Sequence, residues 1–264
     1  MKEPKTKVPR ILFATALLAC VIPLCAQESS STGPAYTAAT IVNSATSNAE
    51  ALAPNTIATI YGTNLSYETG VASGQPAAGG VPGSLTGVQV FVAGQPAGLY
   101  YVSPKQINFL IPPDLRPGLV DLFVARDGVA GPATLIELKE ASPGLFESAQ
   151  GIAVATHADG SVVTKAHPAR RGETISVYGT GFGPTTPYQA ISAPAPITDL
   201  SSFHLLLNKT GVPASSILKV FVAPATPGLY QATFKLPKSV GANPEIRVAI
   251  GAQLSPPNVN LPLE

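Results

Sequence analysis

The sequence predicts an all-β protein, two β-sandwiches in tandem. Three observations predict it. The strand-plus-turn Ile57-Ala-Thr-Ile-Tyr-Gly-Thr-Asn-Leu65 returns as Ile175-Ser-Val-Tyr-Gly-Thr-Gly-Phe182, and a recurring segment marks a recurring unit. The chain has 27 Pro and 24 Gly among short runs of Val, Ile and Thr, the pattern of many strands joined by turns. Beyond residue 26 no long window has a helical period.

Residues 1–26 read as a signal peptide. Lys2, Lys5, Lys7 and Arg10 form a basic start, Ile11 to Leu24 is an apolar run interrupted by Pro23, and Ala26 is a suitable last residue before cleavage. The run is shorter than the ~20 residues needed to span a bilayer. A second reading stays open. Leu17-Leu-Ala-Cys20 resembles a bacterial lipoprotein box, and cleavage there leaves a lipidated Cys20 and a membrane tether. Export without lipid is preferred, because the apolar run continues past Cys20. Both cysteines, Cys20 and Cys25, lie in this segment. A chain cut after Ala26 therefore has no disulfide and no cysteine metal site. It carries twelve basic against fourteen acidic residues. No basic patch tracks phosphates, so nucleic acid is not an expected partner.

The elements follow in order. Residues 27–37 are polar and small and read as a flexible leader. The first sandwich spans 38–141. Its strands are the segment from Ala38 to Ser44, Thr56 to Tyr61, Val88 to Val92, Leu99 to Val102, Gln106 to Ile111, Leu119 to Arg126 and Thr134 to Leu138. Pro112-Pro113 ends one of them, since Pro cannot donate to a ladder. Asp127-Gly128 is a hairpin signal. Residues 70–84 hold five Gly and two Pro and are expected to keep no regular structure. A loop of that length is mobile or functional.

The second sandwich spans 142–264, with the join near Ser142. Ile152 to His157, Ser161 to Thr164, Ile175 to Thr180, Phe203 to Leu207, Leu218 to Val222, Gly228 to Pro237, Ile246 to Ile250 and Val259 to Leu261 are its strands. Gln231-Ala-Thr-Phe-Lys-Leu-Pro237 matches Gln106-Ile-Asn-Phe-Leu-Ile-Pro112 in kind. About seven strands per unit with regular turn spacing predict an immunoglobulin-like sandwich.

These residues also carry a resemblance. Gly172 to Phe182, together with Ser103-Pro-Lys-Gln-Ile-Asn-Phe-Leu-Ile-Pro112, resembles the IPT/TIG class of immunoglobulin-like domains. The ordered set is similar to an uncharacterised tandem domain at the C-terminus of large secreted acidobacterial proteins. In the first unit it comprises Ile41-Val-Asn43, Ala53-Pro54, Ile60 to Leu65 and Tyr100 to Phe109. In the second it comprises Pro143 to Phe146, His157 to Ser161, Tyr178 to Pro184 and Pro227 to Gln231. The resemblance spans roughly residues 38–262 and implies fold and secretion. It implies no activity, and fold alone does not give function.

Candidate chemistry is sparse. His157 and Asp159 place two ligand types on one loop, but a zinc site needs three or four protein ligands, and a solvated hairpin accounts for them better. His167, Arg170, Arg171 and Glu173 read as a charged loop. Asp114, Asp121 and Asp127 lack calcium-loop spacing. No Gly-x-Ser-x-Gly elbow is present. No catalytic residue, cofactor or metal is expected. Tyr100 and Tyr101 are the candidate ligand contacts. Strand neighbours face opposite ways, so at most one of the two is expected to point outward. Tyr61 and Tyr178 are expected to be structural, each hydroxyl bonding backbone.

The expected function is a secreted or cell-surface, non-catalytic interaction or adhesion module. Its partner is an extracellular protein or a glycan, met by loops 66–86 and 183–200. A carbohydrate-binding accessory domain is the alternative, and an unrecognised hydrolase comes third.

Overall fold

The computed structural model describes residues 33–49, 52–72, 81–148, 151–187 and 193–264. Residues 1–32, which include the expected signal peptide, Cys20 and the start of the expected leader, lie outside the described residues. From residue 33 onward the chain forms one compact unit holding two hydrophobic cores.

The first half contains β1 (Ile41–Asn43), β2 (Ile57–Tyr61), β3 (Gly70–Val71), β4 (Val88–Val92), β5 (Gln95–Pro96), β6 (Gly98–Val102), β7 (Gln106–Leu110), β8 (Gly118–Arg126), β9 (Val129–Ala130) and β10 (Thr134–Leu138). One sheet has the order β1-β2-β7-β6-β3 and the other β10-β8-β4-β5, with β9 on β8. Alternation decides the faces. Ala58 and Ile60 of β2, Ile107 and Phe109 of β7, and Leu99 and Val102 of β6 are fully buried. They meet Val88, Val90 and Val92 of β4 and Leu122 and Val124 of β8. Each such aliphatic side chain contributes about 1.5–3 kcal/mol on burial.

The second half contains β11 (Gly144–Leu145), β12 (Ala155–His157), β13 (Thr174–Thr180), β14 (Ala195–Pro196), β15 (Phe203–Leu207), β16 (Thr210–Gly211), β17 (Ile217–Val222), β18 (Tyr230–Lys235), β19 (Ile246–Ile250) and β20 (Gln253–Leu254). The order β11-β13-β18-β17-β14, with β12 on β13, repeats that of the first sheet, and β16-β15-β19 repeats β5-β4-β8 of the second, with β20 on β19 as β9 is on β8. The register repeats too. Tyr61 lies opposite Gln106, and Tyr178 opposite Gln231. β4 and β15 share one alternation of buried and exposed residues. The fold is all-β, built of immunoglobulin-like sandwiches. Among the described residues the only helical segments are the 3₁₀ turns Ala38–Thr40, Leu200–Ser202 and Ala214–Ser216.

Several expectations are corrected. The first strand begins at Ile41, because Ala38–Thr40 turns. Residues 33–37 of the expected leader are tied down: Ala35 bridges Thr63, and the buried Tyr36 hydroxyl donates to the Pro132 carbonyl at 2.7 Å and accepts from the Val124 N–H at 2.8 Å. Gly70–Val71 is a strand on β6 despite the surrounding glycines, while residues 73–80 lie outside the described residues. Ser161 to Thr164 makes only the bridge Thr156–Val162, and Val259 to Leu261 only bridges at Asn260. The Asp127-Gly128 hairpin forms with φ of 48° and 81°, the left-handed pair a tight antiparallel turn demands.

The two sandwiches meet end to end through a polar joint. The Ile57 N–H donates to the Thr180 hydroxyl at 2.8 Å, which donates to the Gly228 carbonyl at 2.8 Å. Asn43 donates its side-chain amide to the Ser142 carbonyl at 2.9 Å. Asn55 donates to the hydroxyl of the fully buried Tyr230 at 3.1 Å, and that hydroxyl donates to the Gly183 carbonyl. Burial raises the Tyr230 hydroxyl far above its ordinary pKa.

Candidate functional site

The outer face of the sheet β1-β2-β7-β6-β3 carries the candidate site. Side chains opposite the core on β2, β7 and β6 form two rows. Tyr61 pairs across with Gln106, while Thr59 pairs with Asn108, which pairs with Tyr101. The rows are cross-linked. Gln106 Nε2 donates to Asn108 Oδ1 at 2.8 Å, the Thr59 hydroxyl donates to the same oxygen at 3.2 Å, and Ser44 Oγ lies 2.7 Å from Thr59 Oγ1. Asn108 Oδ1 thus accepts from two donors, which fixes the orientation of its amide. Tyr61 is 44% exposed, and Tyr101, Gln106 and Asn108 are half-buried. Two rings therefore flank an oriented amide ladder, with no formal charge within it.

A bulge decides which tyrosine belongs to this face. The β6–β7 register slips between Leu99 and Tyr101. Leu99 points into the core, Tyr101 outward, and Tyr100 is the extra residue. Its hydroxyl donates to the Pro227 carbonyl across the joint, and burial raises its pKa far above the ordinary value. Of the two tyrosines expected as ligand contacts, the structure places Tyr101 on the open face and Tyr100 in the joint. The expectation for Tyr61 and Tyr178 is corrected. The Tyr178 hydroxyl lies 3.1 Å from the Thr156 hydroxyl rather than bonding backbone, and Tyr61 stands in solvent. Gln106, Asn108 and Tyr61 were not expected as contacts. Gln106 and Asn108 stand two residues apart on one predicted strand, which marks them as sharing a face, whereas Tyr61 joins them only through pairing with Gln106.

The second sandwich has the same ladder in altered form. Gln231 donates to Ser176 at 2.9 Å and to Thr233 at 3.3 Å. Exposed Lys219 stands where Tyr101 stands, opposite Thr233, and Phe221 lies beside Gln231. The face is largely self-satisfied. The bulge also repeats, between Ile217 and Lys219. Its extra residue, Leu218, is 56% exposed.

His157, Asp159, His167, Arg170, Arg171 and Glu173 line one cleft at the far end of the second sandwich. His157 Nδ1 lies 2.6 Å from Glu173 Oε1, and the His157 and His167 rings are 4.3 Å apart. Hydrogen bonding to Glu173 raises the His157 pKa above the ordinary histidine value, against a smaller opposing effect of burial. Arg170 pairs instead with Glu264 at 3.0 Å. Ser161 donates to Asp159 from hydroxyl and backbone and lowers its pKa. No serine lines the cleft, and among the described residues no three His, Cys, Asp or Glu gather as metal ligands. Asp114, Asp121 and Asp127 do not converge. A further cleft of ≈ 690 Å³ follows the seam between the sandwiches, lined in part by Glu140, Phe182, Asp199 and Gln253. Its one ring, Phe182, is buried. Of the loops expected to bind, residues 73–80 and 188–192 lie outside the described residues.

No protein-family model and no curated relative matches the sequence. Similar solved structures include surface glycan-binding proteins and tandem immunoglobulin repeats. A surface glycan-binding protein from Prevotella bryantii is 11% identical with a TM-score of 0.27, over 80% of this chain and 37% of that one. A Bacteroides ovatus protein, solved with a mixed-linkage heptasaccharide, is 11% identical with a TM-score of 0.32, over 81% and 43%. Tandem immunoglobulin repeats of Dlar are 12% identical with a TM-score of 0.22, over 81% and 92%. The chain spans less than half the length of the two glycan-binding proteins. At these identities the likeness carries no function to this chain.

Proposed function

We propose that this chain is an exported, non-catalytic carbohydrate-binding module. The recognition face is Tyr61, Gln106, Asn108 and Tyr101. One observation carries this: two outward tyrosines flank a pre-oriented amide ladder on an open sheet face. Aromatic rings cover the apolar C–H faces of sugars, and a few placed amides fix hydroxyl positions. The ladder's own hydrogen bonds hold the amides in place, so little rotamer entropy is lost on binding. Export accords with the basic and apolar start of the sequence. The resemblance to acidobacterial IPT/TIG-type tandem domains supports the same setting.

Affinity electrophoresis of the full chain through gels containing soluble polysaccharides tests this. Retardation is expected. Tyr61→Ala and Tyr101→Ala should each weaken affinity about tenfold, and Tyr178→Ala should leave it unchanged. Equal retardation of the parent and both face variants would remove the site, and no retardation by any polysaccharide would remove the function.

A further inference from the structure

We infer that the face takes an extended, unbranched and neutral β-1,4-linked chain of hexoses rather than a terminal sugar. The inference rests on the carbohydrate reading above. Tyr61 lies on β2 and Tyr101 on β6, with β7 between them. Tyr61 is level with Gln106 and Tyr101 with Asn108, two residues along. Two strand spacings across and two residues along separate the two tyrosine Cα positions by about 12 Å. One hexose cannot touch both rings, whereas a chain of three or more reaches from one to the other. The line between them runs diagonally over the Gln106 and Asn108 amides.

The surface is a sheet face with Tyr61 and Val71 exposed, and an open face of this kind suits a straight ribbon. β-1,4-linked glucose and mannose, whose linkage oxygens are both equatorial, adopt one, with flat apolar faces and hydroxyls at the edges. The charge is also telling. Tyr61, Thr59, Gln106, Asn108 and Tyr101 carry no formal charge. Val71, across from Tyr101 on β3, is 63% exposed and extends the surface in apolar form. The equivalent face of the second sandwich places Lys219 at the position of Tyr101. That single exchange breaks the ring pair and adds a cation, so the neutral ligand belongs to the first face.

Isothermal titration of the full chain with cello- and manno-oligosaccharides of one to six units tests this. Galacturonan oligosaccharides of the same lengths serve as the charged comparison. In at least one neutral series, affinity should rise at least tenfold between two and four units and then level off. Tyr61→Ala or Tyr101→Ala should flatten that rise. Tyr61→Phe, which keeps the ring, should restore most of it. A disaccharide bound as tightly as the hexamer, or preference for the galacturonan, overturns the inference and leaves the carbohydrate reading standing. Absence of binding in all three series overturns this inference. Only a blank result extending to the gels above also removes the carbohydrate reading.

Discussion

Tyr61 and Tyr178 hold the same place in the repeat but have different surroundings. Tyr178 has Thr156 beside its hydroxyl at 3.1 Å, whereas Tyr61 is 44% exposed. Identity at a repeated position therefore does not settle role; the neighbour across the strand does. A second residue-scale case is His157. Its pKa is raised by Glu173, so the folded state favours the protonated ring. The resulting stability is fully present below the unfolded value of about 6.5. It is lost as pH rises through the raised folded value. Asp159, His167, Arg170 and Arg171 line the same cleft. Melting temperature should therefore fall as pH rises from below 6.5, and Glu173→Gln should lessen that fall. A variant with the parent's pH profile would show that this pair contributes nothing.

At the scale of elements, the bulge in β6 does the most. It turns Tyr101 outward and frees Tyr100 to cross the joint. Tyr100→Phe keeps the ring and removes the bond to the Pro227 carbonyl, a loss of about 1 kcal/mol. Chemical denaturation should show it as a lower midpoint, with the proposed glycan binding unchanged. The turn after β13 is equally constrained. Gly181 has φ of +74°, and a Cβ there would strike the Ser142 carbonyl. Gly181→Ala should therefore destabilise by roughly 2 kcal/mol or more, since left-handed backbone alone costs about 1–2. A melting temperature within a degree of the parent's would contradict that geometry. The bulge could not be read in advance. Leu-Tyr-Tyr-Val fits a plain alternating strand, and only pairing against Phe109 and Asn108 exposes the slip. The strands themselves were legible, because their buried residues recur at every second position. Short closing segments such as Val259 to Leu261 kept the apolar pattern, but only single bridges formed.

At the scale of the whole molecule, the joint couples two cores. Asn55, Thr180 and Tyr230 are buried and hydrogen-bonded across it. Tyr230→Phe leaves the Asn55 amide and the Gly183 carbonyl without that partner, at about 1–3 kcal/mol. Calorimetry of the parent should show one cooperative transition, because neither sandwich unfolds without exposing these groups. Two resolved transitions in the parent would show that the joint does not couple them. By itself the sequence determined the strand class, the duplication and the absence of a nucleophile motif, because these follow from local period, repeat and residue type. The tertiary structure alone decided that Tyr101 and Tyr61 share a face with Gln106 and Asn108 while Tyr100 seals the joint. Those positions depend on register between strands distant in the chain, which hydrogen-bond pairing sets and local pattern does not encode.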